Sequence, residues 1–127
     1  MTGPDTLQAF VRALAARGNR PALLAFHKHT IETWSFAELS VAATRLASGL
    51  LEAGLRDGEP VAIYSPNRVE WIIACLALLD AGAMPVSIDS QMAGDDLAHV
   101  LEDSGIRRLL TIRPLADRLT ALGLHRD

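Results

Sequence analysis

Residues 61–112 read VAIYSPNRVEWIIACLALLDAGAMPVSIDSQMAGDDLAHVLEDSGIRRLLTI, and they carry the clearest structural pattern in the chain. Three short apolar runs, at 61–65, 84–88 and 108–112, predict strands, and two helical patterns separate them. Short apolar strands that alternate with helices are typical of a parallel sheet with right-handed crossovers. We therefore predict an α/β fold: a parallel sheet with helices on both faces, which is a partial doubly wound subdomain.

The helices of this segment are predicted over about 68–81 and 94–104. The first is apolar nearly all round, so we expect it to be buried on more than one side. Asn67 can cap it. After the third strand, Pro114 is expected to open a last helix that stops at Gly123.

The residues before this segment predict an N-terminal helix and a β-hairpin. Residues 5–17 have helical spacing of apolar side chains, and Asp5 can cap that helix. Two short runs follow, at 22–27 and 30–34, and the tight link between them indicates an antiparallel hairpin.

A second helix is predicted to start at Ser35. Ser35 and Glu38 fit the capping box, in which each side chain accepts a hydrogen bond from the other residue's backbone N–H. The apolar stripe behind it ends at Gly54, which is a favourable helix stop.

Length and composition exclude several classes of protein. A chain of 127 residues corresponds to one domain, and a net charge of −3 argues against a polycationic nucleic-acid binder. No apolar run is long enough to span a membrane, and the N-terminus lacks a secretory signal, so we expect a cytoplasmic protein. The single cysteine, Cys75, excludes an internal disulfide and is expected to be a buried small hydrophobe.

Four well-known sequence patterns of catalytic and nucleotide-binding sites are missing from the chain. It has no phosphate-binding P-loop, no dinucleotide fingerprint, no zinc-protease motif and no nucleophile elbow. We therefore assign no catalytic, cofactor-binding or metal-binding residue. His27 and His29 could face one side of a strand, but two ligands are too few for a catalytic metal, so we expect solvent-facing residues. His99 is expected to be a packed or surface residue.

Two charged pairs have structural explanations. Asp95 and Asp96 fall in the first turn of a helix, where negative charge is favourable. This helix-dipole role is a better explanation for the two aspartates than metal binding by a carboxylate pair. Arg107 and Arg108 begin a strand and are expected to form a solvated face or to protect a sheet edge.

One place in the predicted fold favours ligand binding on geometry alone. Open parallel sheets bind ligands outside the carboxyl ends of their strands. Those ends are Ser65–Pro66–Asn67, Asp89–Ser90–Gln91 and Thr111–Ile112–Arg113. Asn67 and Ser90 also lie near helix N-termini, which attract anions, and helix capping is their simpler explanation.

Three pieces of the sequence resemble the beginning of the AMP-forming adenylating enzymes. This superfamily includes acyl-CoA synthetases, adenylation domains of peptide synthetases, and luciferases. WSFAEL at 34–39 is similar to the family's first core motif, L-T-Y-x-E-L. VAIYSPN at 61–67, followed by EW at 70–71, is similar to its strand-to-helix step in acyl-CoA synthetases. Residues 79–89 are similar to the second core motif, and EDSG at 102–105 continues the likeness.

The resemblance covers about residues 5–113 and implies a specific chemistry for a longer parent protein. That parent would activate a carboxylate with ATP and Mg²⁺, release pyrophosphate and pass the acyl group to CoA or a carrier thiol. The family's phosphate-binding loop, ribose-binding Asp, acyl pocket and C-terminal lid with its catalytic Lys have no counterpart in these 127 residues. The resemblance thus implies that residues 1–127 form an N-terminal subdomain fragment that is inactive alone. The fragment would bind no ATP, Mg²⁺ or CoA by itself, and its partner would be the remainder of the enzyme.

The second motif departs from the family pattern at two points. Asp80 stands where Lys or Arg is common, and Ser87–Ser90 replaces Pro-Leu-Asp-Pro. These changes weaken the likeness to a standard peptide-synthetase domain.

Two other functions are compatible with the sequence. The chain could be a non-catalytic interaction or scaffold module that keeps the family's first layer and associates with itself or a partner through an exposed apolar face. It could also be a receiver-like domain, but such domains carry acidic residues at the end of the first parallel strand. Here that end is Ser65–Pro66–Asn67, which disfavours this alternative.

Overall fold

The computed structural model describes residues 7–66 and 68–121. Ten helices and strands follow one another in this part of the chain, besides one short 3-10 turn at Leu14–Arg17. They are α1 (Leu7–Ala13), β1 (Pro21–Phe26), β2 (Ile31–Ser35), α2 (Phe36–Glu52), β3 (Pro60–Tyr64), α3 (Val69–Asp80), β4 (Met84–Ile88), α4 (Gly94–Ser104), β5 (Arg108–Thr111) and α5 (Arg113–Ala121).

The three C-terminal strands form a parallel sheet in the order β4-β3-β5. Tyr64, at the end of β3, stands beside Ile88 of β4 and Thr111 of β5. The strands lie within one residue of the predicted ranges, and the α/β prediction is confirmed.

The two sides of the central strand face two separate parts of the core. Val61 and Ile63 point to one side and pack with α2 and α3. Ala62 and Tyr64 point to the other side and pack with Leu97 of α4 and with α5. These four of the five residues of β3 are buried, because the side chains alternate between the two faces and each face is covered. Helices therefore cover both faces of the sheet, as predicted.

Helix α3 is packed against four other elements of the fold. It packs against α1 and α2 on one side and against β3 and β4 on the other. Leu78 and Ala77 are completely buried there. The prediction from its all-round apolar pattern is confirmed. The residue before its first turn is Arg68, which makes no side-chain cap bond. Asn67, the predicted cap, lies outside the described residues.

Helix α2 begins with the predicted capping box. The Glu38 N–H donates to Ser35 Oγ at 3.0 Å, and the Ser35 N–H donates to Glu38 Oε1 at 3.0 Å. The helix ends just before Gly54, whose φ of 98° lies in the left-handed region that favours glycine.

The N-terminal hairpin forms as predicted, with β1 antiparallel to β2 and Phe26 paired with Ile31. The single helix predicted over 5–17 is wrong in its second half. The α-helix stops at Ala13, and the chain tightens into the 3-10 turn at Leu14–Arg17. Asp5 lies outside the described residues, as does Gly123, the predicted stop of α5.

Candidate functional site

The parallel register places the three predicted strand ends at one edge of the sheet. Ser65 follows β3, Asp89 follows β4, and Ile112 follows β5. Since Tyr64 is level with both Ile88 and Thr111, these segments begin at the same height. The prediction that these segments meet at one edge is confirmed for their described residues. We call this place the carboxyl edge.

The strand order places a topological switch point between β3 and β5 at this edge. The chain passes from β3 to its neighbour β4 and then returns to the far side of β3. Helix α3 lies on one face of the sheet and α5 on the other, so the loops after β3 and β5 diverge. Such a switch point is where open α/β sheets bind ligands. Thr111 Oγ1 donates to the Tyr64 carbonyl at 2.6 Å and joins β3 and β5 at this edge.

A buried tyrosine fixes the loop after β4. Tyr64 is fully buried, and its hydroxyl donates to the carbonyl of Met92. Arg118 of α5 donates through Nη1 to the Tyr64 hydroxyl at 3.2 Å and to the Ser90 carbonyl at 2.9 Å. The network ties together β3, the loop and α5. Sequence reasoning missed it, although a lone tyrosine in a buried apolar strand signals a hydroxyl that needs a partner.

The loop after β4 is also closed by its own turn. Asp89 Oδ1 accepts the Gln91 N–H at 2.9 Å, and the Asp89 carbonyl accepts the Met92 N–H at 3.0 Å. Ser90 does not cap α4, because the residue before the helix is Ala93, which makes no side-chain cap bond. The suggested capping role of Ser90 is therefore wrong. Its carbonyl instead accepts the hydrogen bond from Arg118.

The other residues of the carboxyl edge offer little free chemistry. The Ser65 hydroxyl is buried and donates to the Pro66 carbonyl at 3.0 Å. Arg113 is exposed at the start of α5. In the part of the chain that the structure describes, no three His, Cys, Asp or Glu side chains converge as a metal site would require. The edge therefore combines a topological switch point with loops that the Tyr64 network and Thr111 hold in place.

The histidines and the cysteine lie away from this edge. His27 and His29 are exposed on the hairpin, as expected, and His27 Nε2 lies 3.1 Å from Glu32 Oε2. The Trp34 indole, which donates to Glu32, and then His27 lower the pKa of that carboxyl below its ordinary value. Burial raises the pKa of the Cys75 thiol, which packs beside the core and is no activated nucleophile.

The remaining charged candidates are structural. His99 is a surface residue of α4, 3.0 Å from Asp103 one turn later. Asp95 and Asp96 occupy the first turn of α4, as predicted. Of the arginine pair, Arg107 is exposed.

Arg108 is the exception to the expected solvated face. It is half-buried and donates through Nε to Glu59 Oε2 at 2.9 Å and through Nη1 to the Ala53 carbonyl at 3.1 Å. These two hydrogen bonds lie at the opposite end of the sheet from the carboxyl edge, because Arg108 is the first residue of β5. No sequence signal indicated Glu59 as its partner.

These observations define the class of protein: an α/β subdomain with a topological switch point, beside which a buried tyrosine holds the loop after β4. No helix in the described residues is long and apolar enough to cross a bilayer. The profile of the AMP-binding enzyme family matches residues 10–126. The chain belongs to this family.

Individual relatives include both acyl-CoA ligases and peptide synthetases. Surfactin synthase subunit 2 of Bacillus subtilis is 43% identical over 76 residues, which are 60% of this chain and 2% of that protein. A feruloyl-CoA synthase of Amycolatopsis is 34% identical over 99 residues, which are 78% of this chain and 20% of that protein. A long-chain-fatty-acid-CoA ligase from Archaeoglobus fulgidus superposes with a TM-score of 0.84 at 26% identity.

The match covers only part of each relative. The Archaeoglobus structure aligns with 99% of this chain, whereas this chain covers 27% of that structure. Most of each relative therefore consists of polypeptide that has no counterpart here.

Asp80, which departs from the family motif, forms an ion pair in the structure. Arg12 of α1 donates through Nε to Asp80 Oδ1 at 2.8 Å, and the aspartate side chain is only 12% exposed. An acidic residue at a helix C-terminus is unfavourable beside the carbonyl dipoles, and the arginine offsets that cost. Here Arg12 and Asp80 join α1 to the end of α3.

Proposed function

We propose that this chain is the N-terminal part of an AMP-forming ligase that activates a carboxylic acid. The observation that carries the proposal is the family match over residues 10–126, together with relatives that ligate acyl groups to CoA. In the proposed reaction, a carboxylate oxygen attacks the α-phosphorus of ATP and pyrophosphate leaves. The acyl-adenylate then transfers its acyl group to the thiol of CoA or of a carrier protein, and AMP leaves.

We assign ATP, Mg²⁺ and CoA to the remainder of the enzyme. The described residues do not fit a magnesium site, because no cluster of three acidic or imidazole side chains exists among them. The chain has no Gly-rich phosphate loop either. No catalytic step is therefore placed on its side chains, and we expect the chain alone to be inactive.

The role we infer for the chain is to build one wall of the active-site crevice. The Tyr64 network and the Thr111 bond hold the loops after three parallel strands at fixed positions. Fixed loops favour precise placement of a ligand, because little ordering entropy is lost when it binds. The proposal includes a cytoplasmic location for the whole enzyme.

The longer polypeptide that contains this chain should form acyl-adenylates. With ATP, Mg²⁺ and hydroxylamine, we expect acyl hydroxamate to accumulate with at least one member of a panel of fatty, aromatic and amino acids. The active class of acid identifies the substrate. The control reaction omits ATP. A longer polypeptide that forms no hydroxamate with any acid, while folded by circular dichroism, would contradict the proposal.

A second candidate is a non-catalytic module that associates with itself. Leu24, Phe26 and Ile31 form an apolar hairpin face with exposed fractions of 52, 75 and 60%, and such faces often mark contact sites. Sedimentation velocity of the 127-residue chain distinguishes the candidates. A dimer that persists at micromolar concentration would favour the module, whereas a monomer favours the ligase fragment.

A further inference from the structure

A groove of about 720 Å³ runs between the hairpin and the start of α3. Residues 23–27 of the hairpin form one wall and residues 68–72 form the other. It adjoins an apolar cavity of about 220 Å³, with which it shares Leu23 and Ile72. A space of this size beside the core of a small domain is large enough for several side chains.

The hairpin wall of this groove includes a strand, β1, with one unpaired edge. Among the described residues, β1 pairs with β2 alone, in a two-stranded sheet. The His27 N–H donates to the Thr30 carbonyl at 2.8 Å, so these two residues form a hydrogen-bonded pair of the hairpin. Antiparallel pairs alternate between bonded and non-bonded, so the backbone groups of Phe26 and Leu24 point away from β2. An edge of this kind is a template for another strand.

Trp71 lies on the helix wall of the groove, but its indole Nε1 is buried and is not open to a ligand in the groove. The feature of the groove that is open to a partner is therefore the free edge of β1.

We propose that an extended segment from the remainder of the enzyme adds to β1 as a third strand. An added strand supplies the backbone groups that the outer edge of β1 lacks. Its apolar side chains would also cover Phe26 and Leu24. The occupant is the enzyme's own polypeptide because about three-quarters of the Archaeoglobus relative lies outside the matched region. The inference rests on the proposed function, from which the longer polypeptide follows.

Amide hydrogen exchange tests the strand directly. We expect the amides of Leu24 and Phe26 to exchange at least about tenfold more slowly in the longer polypeptide than in the 127-residue chain, as an added hydrogen bond of ordinary strength implies. The amide of Ala25 is the matched control, because it faces β2 and should be protected in both. Equal exchange of Leu24 and Phe26 in the two proteins would overturn the proposal, as would a gene product that ends at Asp127.

Other occupants give different results. If a second copy fills the groove, protection of Leu24 and Phe26 appears in the 127-residue chain and rises with its concentration, which overturns the assignment. If a small apolar ligand fills it, these backbone amides stay unprotected in the longer polypeptide, which also overturns it. The exchange readout does not depend on activity. An active longer enzyme without protection refutes this inference alone, and an inactive one with protection refutes the proposed function alone.

Discussion

Replacing Leu78 with alanine is expected to lower the free energy of unfolding by about 2–5 kcal/mol. Leu78 is completely buried in α3 and belongs to the cluster that joins α2, α3 and the central strand. Truncation removes apolar contacts and leaves a cavity that well-packed neighbours cannot fill. Urea denaturation followed by circular dichroism measures the change.

The control for this substitution is Leu51→Ala at the end of α2. Leu51 is 50% exposed, and we expect its truncation to cost much less. Similar losses for Leu78 and Leu51 would show that the core does not lie between α3 and the sheet.

The Tyr64→Phe substitution should lower the free energy of unfolding by about 1–3 kcal/mol. It removes the hydroxyl that donates to the Met92 carbonyl and accepts from Arg118, and keeps the buried ring. We expect the loop after β4 to loosen, so the amides of Gln91 and Met92 should exchange faster than in the wild type. The strand itself should remain folded, since its packing is unchanged.

A double-mutant cycle with Arg118→Met isolates this network. The two substitutions should be non-additive, because Tyr64 and Arg118 share a hydrogen bond and hold the same loop. Additive effects would show that the tyrosine acts only through packing. Unchanged exchange at Gln91 and Met92 would show that it does not hold the loop.

The sheet could be predicted because its elements have strong local signals. The apolar runs of β3, β4 and β5 are bounded by Gly, Pro and polar residues, and the all-round apolar pattern of α3 indicated a helix between two layers. The end of α1 could not be predicted, because the helical spacing of apolar residues continues to Leu14 and the first helix stop in the sequence is Gly18.

The carboxyl edge could be located from topology, but its internal bonds could not be predicted. Parallel strands place their ends at one edge whatever the residues are, so the strand ends were predicted to lie together. The partners of Tyr64 come from residues 28 and 54 positions away along the chain. Neither separation leaves a periodic pattern in the sequence.

The pairing of Asp80 shows the same limit. The sequence identified the residue as a departure from its family motif, but Arg12 lies 68 positions earlier, on a helix that crosses the end of α3. Only the packing of α1 against α3 brings the two charges together.

The central claim is that this chain is an inactive part of an AMP-forming ligase. Carboxylate-dependent ATP–pyrophosphate exchange tests it most directly. The exchange is measured on the 127-residue chain and on the longer polypeptide that contains it. We expect exchange from the longer polypeptide and none above background from the 127-residue chain, because its described residues offer no magnesium cluster and its sequence has no phosphate loop. Exchange by the 127-residue chain that depends on added carboxylic acid would contradict the account.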